Sequence, residues 1–419
     1  MKLIFHGGAK EVGRSCIELQ SSQTRFLLDA GVKLATESEY PLEIKNIEEI
    51  QGAINSHAHL DHCGSWPYLH HKGLNCPIYM TSVTRDIAKI LIRDFYKVES
   101  LTHIPPYPKE AIYEVFDQFK IANYNQGYQV NDIYFKFFDA GHIPGSAFVL
   151  LEADGKRIIY TGDINLKESR LIKGADLAIK DVDALIMETT YGNRNHPDRK
   201  QTEKEFLAKV KETLKRGGKV FIPAFSVGRS QELMLLLCTE KWNVPIYLDG
   251  MGKDMTEIML HSNSPKDLQA LKQARNKVKF VSGPNERRDA MKKQGIFIAS
   301  AGMMTGGSII EYIKEGHQDP RNSILITGYV DTGTNGRLLL DEGAIFIEGR
   351  KTKVKAEYRQ YDFSAHSGLD ELIELVKKIN PQKVILVHGE DSALENFANL
   401  VKKIGKEVFI PSLQSEINI

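Results

Sequence analysis

At 419 residues the chain is long enough for two or three domains, and 42% hydrophobic with 26% charged content excludes global disorder. A net charge of +1 excludes a whole-molecule field that could hold nucleic acid, so any such contact needs a local patch or cleft. The four cysteines (Cys16, Cys63, Cys76 and Cys238) lack C-x-x-C spacing, which excludes a structural zinc ribbon and a disulfide framework. Cys63, beside His62, reads as a small buried hydrophobe. The opening Met1-Lys2-Leu3-Ile4-Phe5 is too short an apolar run for a signal peptide. No stretch approaches the roughly 20 apolar residues of a membrane span, so the expectation is a cytoplasmic protein with no membrane partner.

Short apolar or β-branched runs bounded by glycine fill the first half. Residues 15–19, 24–29, 133–139, 147–152 and 157–161 read as strands, with Ala153-Asp154-Gly155-Lys156 as a turn. Helical spacing intervenes at 83–95 and 109–116, and many strands with few helices predict an α+β sandwich. After Asn193 strand and helix alternate: helix 203–216 stopped by Gly217-Gly218, strand 219–225, helix 230–239 and strand 244–248. Strand 295–300, helix 308–315 and strand 323–328 repeat the pattern, which predicts a parallel sheet flanked by helices. The closing stretch reads as strand 354–361, helix 370–379, strand 383–387 and helix 392–404. The expected division is 1–192, an insertion at 193–353, and a completing segment at 354–419.

The densest chemistry is His57-x-His59-x-Asp61-His62, directly after Gly52-Ala53-Ile54-Asn55-Ser56. Three imidazoles and a carboxylate within six positions serve no packing purpose. Such a set favours zinc or a similar transition metal over Mg²⁺ or Ca²⁺. If the segment leaves a strand end, alternation points His57, His59 and Asp61 one way, and His62 comes round as the chain turns. Such a turn can feed two adjacent metals. Further ligands stand at other strand ends: His142 in Asp139-Ala140-Gly141-His142, Asp163 after Ile159-Tyr160-Thr161-Gly162, and His388 after Val384-Ile385-Leu386-Val387. Singly, a loop histidine or aspartate is usually solvated or caps a turn. Together they fill the gap in coordination, and Asp163 suits a bridge because each of its oxygens can serve a different ion.

The ordered set Asp29, His57-x-His59-x-Asp61-His62, His142 and Asp163 resembles the four motifs of the metallo-β-lactamase superfamily. Glu188, His366 and His388 resemble motifs A, B and C of its β-CASP branch, a group of nucleic-acid nucleases. The resemblance implies an α/β fold, an αββα metallo-β-lactamase sandwich with an inserted parallel-sheet β-CASP domain. It implies two Zn²⁺, with Mn²⁺ as the alternative ion. His57, His59, His142 and Asp163 would hold one metal, and Asp61, His62, Asp163 and His388 the second. Asp29 would orient the first histidine group. Asp61, Glu188 and His366 would be catalytic, with His366 donating a proton to the leaving 3′-oxygen while Glu188 holds its ring. The implied products are a 5′-phosphate and a 3′-hydroxyl.

Two glycine-rich loops of the insertion join strand to helix. They are Ala301-Gly302-Met303-Met304-Thr305-Gly306-Gly307-Ser308 and Pro223-Ala224-Phe225-Ser226-Val227-Gly228-Arg229-Ser230. Ordinary βα turns explain them as well as anion sites do. The resemblance makes Ser226, Arg229, Gly302, Thr305, Gly306 and, near His366, Ser364 candidate phosphate or RNA contacts. Arg287-Arg288 and Lys292-Lys293 fit either added basic charge or a solvated helix face. Histidine at motif C is the choice of the family's RNA-processing members, where DNA-repair members carry valine. The expected partner is therefore RNA, single-stranded, with a homo-oligomer left open. The chain stops soon after His388, without the C-terminal domain of ribonuclease J or the KH domains of archaeal members. That favours an endonuclease over a processive 5′-exonuclease. A small-molecule hydrolase is opposed by Glu188, His366 and the insertion, and a non-catalytic scaffold by the complete ligand set. Among other histidines, His70 and His71 read as surface residues, His196 as a cleft neighbour, and His103, His261 and His317 as lacking local partners.

Overall fold

The computed structural model describes residues 1–35 and 37–419, which form two compact units. The first comprises Met1–Glu168, Lys173–Asn195 and Ala365–Ile419, and the second Ser169–Ile172 and His196–Ser364.

Two seven-stranded sheets build the first unit. One runs in space through Glu416–Asn418, Lys2–Gly7, Cys16–Gln20, Arg25–Leu28, Gly52–Ile54, Ile78–Met80 and Phe119–Ile121. The other runs through Glu407–Phe409, Lys383–Val387, Ala184–Glu188, Lys156–Tyr160, Ala147–Ala153, Ile133–Asp139 and Gly127–Val130. Their facing sides form one core, with Leu3, Phe5, Leu19 and Phe26 against Phe135, Phe137, Leu151 and Ile186. The alternation along Ile133–Asp139, where Phe135 and Phe137 are buried and Tyr134 and Lys136 less so, turns one face inward. The second sheet's other face packs under helices Leu369–Ile379 and Asp391–Lys403 through Leu185, Met187, Leu372, Val376, Phe397 and Val401. Strand Ala184–Glu188 is thus covered on both sides, which is why it reads as an unbroken apolar run. The layering is that of an αββα sandwich.

Parallel pairing sets up the site. Strand Ala184–Glu188 pairs in parallel with Lys156–Tyr160 on one side and Lys383–Val387 on the other, so three C-terminal ends lie together. In the first sheet Arg25–Leu28 and Gly52–Ile54 are likewise parallel neighbours.

The second unit is a six-stranded parallel sheet in the order Val278–Phe280, Ile246–Asp249, Ile296–Ala299, Val220–Pro223, Ser323–Ile326, Glu357–Gln360. Successive residues bury on opposite faces: Ile222 and Ile298 with Phe206 and Leu237, and Phe221 and Phe297 with Ile309 and Tyr312. Glu357–Gln360 joins this sheet by pairing with Ser323–Ile326, so the unit continues to Ser364, past the boundary expected at 353. A separate antiparallel hairpin joins Ala344–Ile347 to Arg350–Lys353. Among the described residues no helix is long and apolar enough to cross a membrane.

On the first sheet, buried Glu18 accepts from Gln20 Nε2 at 2.6 Å and Arg25 Nε at 2.7 Å, and meets His6 Nε2 at 2.9 Å. Burial alone would raise its pKa, but His6, Arg25 and Gln20 outweigh that and lower it to about 2. A depressed carboxylate pKa stabilises the fold above the unfolded value of about 4.3 and loses that contribution as pH falls toward the folded value. We expect Glu18→Gln to cost on the order of 2 kcal/mol at neutral pH, with the gap to wild type closing as pH drops from 4.3 toward 2. Urea unfolding across that range tests this; a constant gap contradicts it.

Candidate active site

Most candidate site residues sit at or just beyond a strand end. Asp29 follows Arg25–Leu28 and adopts φ 62°, and His388 follows Lys383–Val387 with φ 49°. Both lie in the left-handed region that most residues avoid. His57 and His59 occupy the loop after Gly52–Ile54, whereas Asp61 and His62 belong to the short helix Leu60–Cys63. The expected strand-like alternation therefore stops at His59. Consecutive helical positions diverge around the axis, and this carries Asp61 and His62 to different neighbours. Gly31 makes room for that turn, because a Cβ there would stand 1.6 Å from the Asp61 carbonyl oxygen. His142 follows Gly141, Asp163 follows Gly162 beyond Lys156–Tyr160, and Glu188 closes its own strand.

The structure brings the expected metal ligands together. Ligand atoms of His57, His59, His142 and Asp163 lie within 4.8 Å of one another, as do those of His62, Asp163 and His388. His59 Nδ1 is 3.2 Å from both His57 Nε2 and His142 Nε2. Asp163 divides its oxygens. Oδ2 faces His57 Nε2 at 3.4 Å and His142 Nε2 at 3.5 Å, while Oδ1 faces His62 Nε2 at 3.3 Å and His388 Nδ1 at 3.5 Å. Asp61 groups with His57 and His62, and its Oδ2 lies 3.2 Å from His388 Nε2.

Three of these rings are held from behind, which leaves Nε2 pointing inward. His62 Nδ1 bonds Asp29 Oδ2 at 2.7 Å, His142 Nδ1 donates to the Ala365 carbonyl at 2.9 Å, and His57 Nδ1 meets Ser56 Oγ at 3.1 Å. Asp29 also accepts from Ser56 N, Ser56 Oγ and Tyr160 Oη, each at 2.6 Å. It therefore touches His62 directly and reaches His57 only through Ser56. His366 Nδ1 lies against both oxygens of Glu188 at 3.0 and 2.9 Å, and this pair groups with Asp163.

The residues fit a bound cation. Buried His62 Nε2 and Asp163 Oδ1 have no hydrogen-bond partner although they stand 3.3 Å apart. Burial and neighbouring imidazoles hold His57 and His142 well below the usual histidine pKa and lower His59 too, so their nitrogens present lone pairs. Burial would do the same to His62, but Asp163 and Asp29 raise it instead. Carboxylates that favour a proton there would equally favour a cation. Burial also opposes a charge on His366, yet Glu188 and Asp163 outweigh it and lift its pKa to about 9.

Other expectations fare differently. The glycine-loop residues all fall in the second unit. Thr305 is exposed and Gly306 has open space around it, whereas Gly302 packs on Phe225 and Ser226 is buried. Arg229 is buried, bonds Glu232 at 2.9 Å and lies over the Phe363 ring, so its charge is already used inside the unit. Ser364 donates its amide to Asp362. His261 and His317 do have local partners, the backbone carbonyls of Glu257 and Ile313, and His103 meets the Thr102 hydroxyl. Cys63 is a buried free thiol. Sequence reading missed Ser56, Tyr160 and the Ala365 carbonyl. Ser56 and Ala365 directly precede His57 and His366, and Tyr160 stands in the run before Asp163, so position beside a motif was the signal.

An αββα sandwich whose strand ends gather histidines and aspartates, within a chain that also carries a parallel-sheet unit, defines a metal-dependent hydrolase of the metallo-β-lactamase type. Residues 18–190 match the metallo-beta-lactamase superfamily domain, 230–339 the Beta-Casp domain and 351–411 the Zn-dependent metallo-hydrolase RNA specificity domain. The chain belongs to the β-CASP branch of the metallo-β-lactamase superfamily. It is 40% identical to "Probable RNase MJ4" of Methanocaldococcus jannaschii over all of both chains. It is 37% identical to "RNase aCSPSF2" of Saccharolobus solfataricus, covering 99% of this chain and 84% of that one. The "Transcription termination factor FttA" of M. jannaschii is 35% identical over 98% of this chain and 70% of its own length. A crystal structure of a protein of unknown function from Enterococcus faecalis shares the fold, with TM-score 0.62 over 99% of both chains at 16% identity.

The Asp29 contacts predict that Asp29→Asn weakens metal affinity about 10- to 100-fold, because the His62 ring loses its carboxylate partner. Competition with a chromogenic chelator measures this, and wild-type affinity in the variant would remove Asp29 from the role.

Proposed function

We propose that the protein is a two-zinc ribonuclease that cuts RNA phosphodiesters internally, leaving 5′-phosphate and 3′-hydroxyl ends, in cytoplasmic RNA processing or decay. The observation that carries this reading is the group formed by Asp163, Glu188 and His366. It sets a carboxylate-held imidazole at the edge of a metal-ligand cluster. The relatives named as RNases and as a termination factor support RNA as the substrate. His388 at motif C agrees with them.

His57, His59, His142 and Asp163 would hold one zinc, and Asp61, His62, Asp163 and His388 the other. Bound zinc ions supply Lewis acidity toward a phosphate and lower the pKa of water at the site. Everything else falls to the chain. Asp29 and Ser56 fix the histidine rings, and Ala365 fixes His142. Glu188 accepts the Nδ1 proton of His366, so Nε2 is the atom that holds a proton for the leaving 3′-oxygen. Its raised pKa keeps that proton in place near neutrality. Within the second unit, Thr305 is the exposed one of the proposed phosphate contacts, whereas Ser226, Arg229 and Gly302 are buried.

The holoenzyme, given RNAs labelled at either end, should yield internal fragments from both labels. Stepwise release of single nucleotides from the 5′ end would favour a 5′–3′ exonuclease of the same family. No cleavage by metal-replete protein would refute the ribonuclease reading. Elemental analysis should find two zincs per chain, chelation should abolish cleavage, and returning Zn²⁺ or Mn²⁺ shows which ion restores it. His366→Ala should retain its metals while losing about 10²- to 10⁴-fold in turnover. Loss of metal from that variant would refute its assignment as the acid.

A further inference from the structure

The second unit carries a surface that its hydrophobic core does not explain. In the hairpin Ala344–Ile347/Arg350–Lys353, Ile345 faces inward and joins the core, while Phe346 faces outward and is 48% exposed. Phe346 stands directly across the ladder from Lys351, and Ala344 across from Lys353. Beyond the ladder, where the chain bends, Val354 and Ala356 are buried while Lys355 is exposed. Phe346, Lys351 and Lys353 therefore share one outward face, and Lys355 is exposed just past the end of the ladder. Among the described residues, the exposed large hydrophobics of this unit are Tyr329, Phe346 and Tyr358, all aromatic.

Charge is concentrated on the same strand. Residues 349–355 hold four cations (Arg350, Lys351, Lys353 and Lys355) and no acid, in a chain whose total is only +1. Lys351 meets Glu342 in an exposed pair, which holds it weakly. Arg350, Lys353 and Lys355 have no ion-pair partner among the described residues. The position of Phe346 is fixed, because Asn335 bonds its amide at 2.7 Å and its carbonyl at 2.9 Å. Lys351 and Lys353, two residues apart on the strand, stand about 6.7 Å apart. That step, with Lys355 close by, matches a polyanion whose charges repeat at a similar spacing. The aromatic face beside it offers a platform on which a base can stack.

We propose that this face, Phe346 with Lys351, Lys353 and Lys355, is an accessory docking surface for single-stranded RNA. The inference rests on the ribonuclease reading. It assigns the hairpin to holding substrate, apart from the chemistry. An acidic polypeptide would meet the lysines too, but would have less use for a flat aromatic ring set among them.

The test uses holoenzyme and a fluorescent phosphorothioate RNA of roughly 30 nucleotides, which keeps its charge and resists hydrolysis, in anisotropy titrations from about 50 to about 200 mM salt. The triple variant Lys351→Ala/Lys353→Ala/Lys355→Ala should bind about tenfold more weakly at the low-salt end, with a salt slope shallower by about 2. Phe346→Ala should weaken binding about fivefold or more with the slope unchanged. The triple Lys→Arg variant should restore affinity. Melting temperatures matching wild type would show that the exposed substitutions leave the fold intact. Unchanged affinity and slope in the triple alanine variant, with wild type binding and cutting RNA, would overturn the inference alone. Hairpin-dependent binding of polyglutamate with RNA binding untouched would overturn it in favour of a protein partner. Wild type that neither binds nor cuts RNA would instead bring down the ribonuclease reading.

Discussion

A carboxylate removed from water is the constraint around which the first unit is organised. Asp163 is 2% exposed and faces imidazoles on both of its oxygens. Left unpaired, such a group costs several kcal/mol, and burial alone would raise its pKa. The surrounding histidines, His62, His388 and His57 foremost, outweigh burial and hold it well below the usual carboxylate range. Those imidazoles need placement from distant parts of the chain, and the sheets supply it. Parallel pairing puts the ends of Lys156–Tyr160, Ala184–Glu188 and Lys383–Val387 side by side, so that Asp163, Glu188 and His388 converge. The same pairing in the other sheet sets Asp29 beside the His57 loop. The fold thus gathers imidazoles and carboxylates from distant strand ends around one buried carboxylate.

Backbone strain marks the two points where this placement is hardest. Asp29 and His388 both take left-handed conformations, which cost free energy outside glycine and persist only where the surroundings demand them. At Asp29 the return is a carboxylate that accepts from Ser56 twice, from Tyr160 and from His62. At His388 it is a ring reaching both Asp163 and Asp61. The turn at Gly31 belongs to the same economy of space, since any side chain there would strike the helix that bears Asp61.

Much of this was legible because ligands at strand ends leave a plain trace: a polar residue closing an apolar run. Asp163, Glu188 and His388 all show it. The path between His57 and His62 was not legible, because a period of two and the first turn of a four-residue helix look alike over six residues. Arg229 illustrates a different limit. Its partner Glu232 stands at i+3, a spacing that pairs on any helix, yet a lone arginine after a glycine loop suggests a phosphate just as readily. Helix Pro284–Met291 went unread since only Ala290 and Met291 are buried, too few to print a periodic stripe. The extent of the second unit depended on a strand, Glu357–Gln360, whose exposed residues carry no mark of the sheet they join.

Net charge near zero has a consequence for how such a protein holds a polyanion. With 55 cations against 54 anions, the whole-molecule field is weak, and long-range attraction is screened within about 10 Å at ordinary ionic strength. Affinity must then come from places where cations stand without acids. On the proposed reading the metal-ligand cluster is one, once its own carboxylates are balanced, but it would grip only the phosphate being cut. The run from 349 to 355 is the other we propose, where only Lys351 meets an acid, Glu342, and cross-strand pairing sets Phe346 beside the strand. On the proposed reading, catalysis and grip draw on different residues: the former on groups buried to shift their protonation, the latter on groups exposed so that their charge stays available.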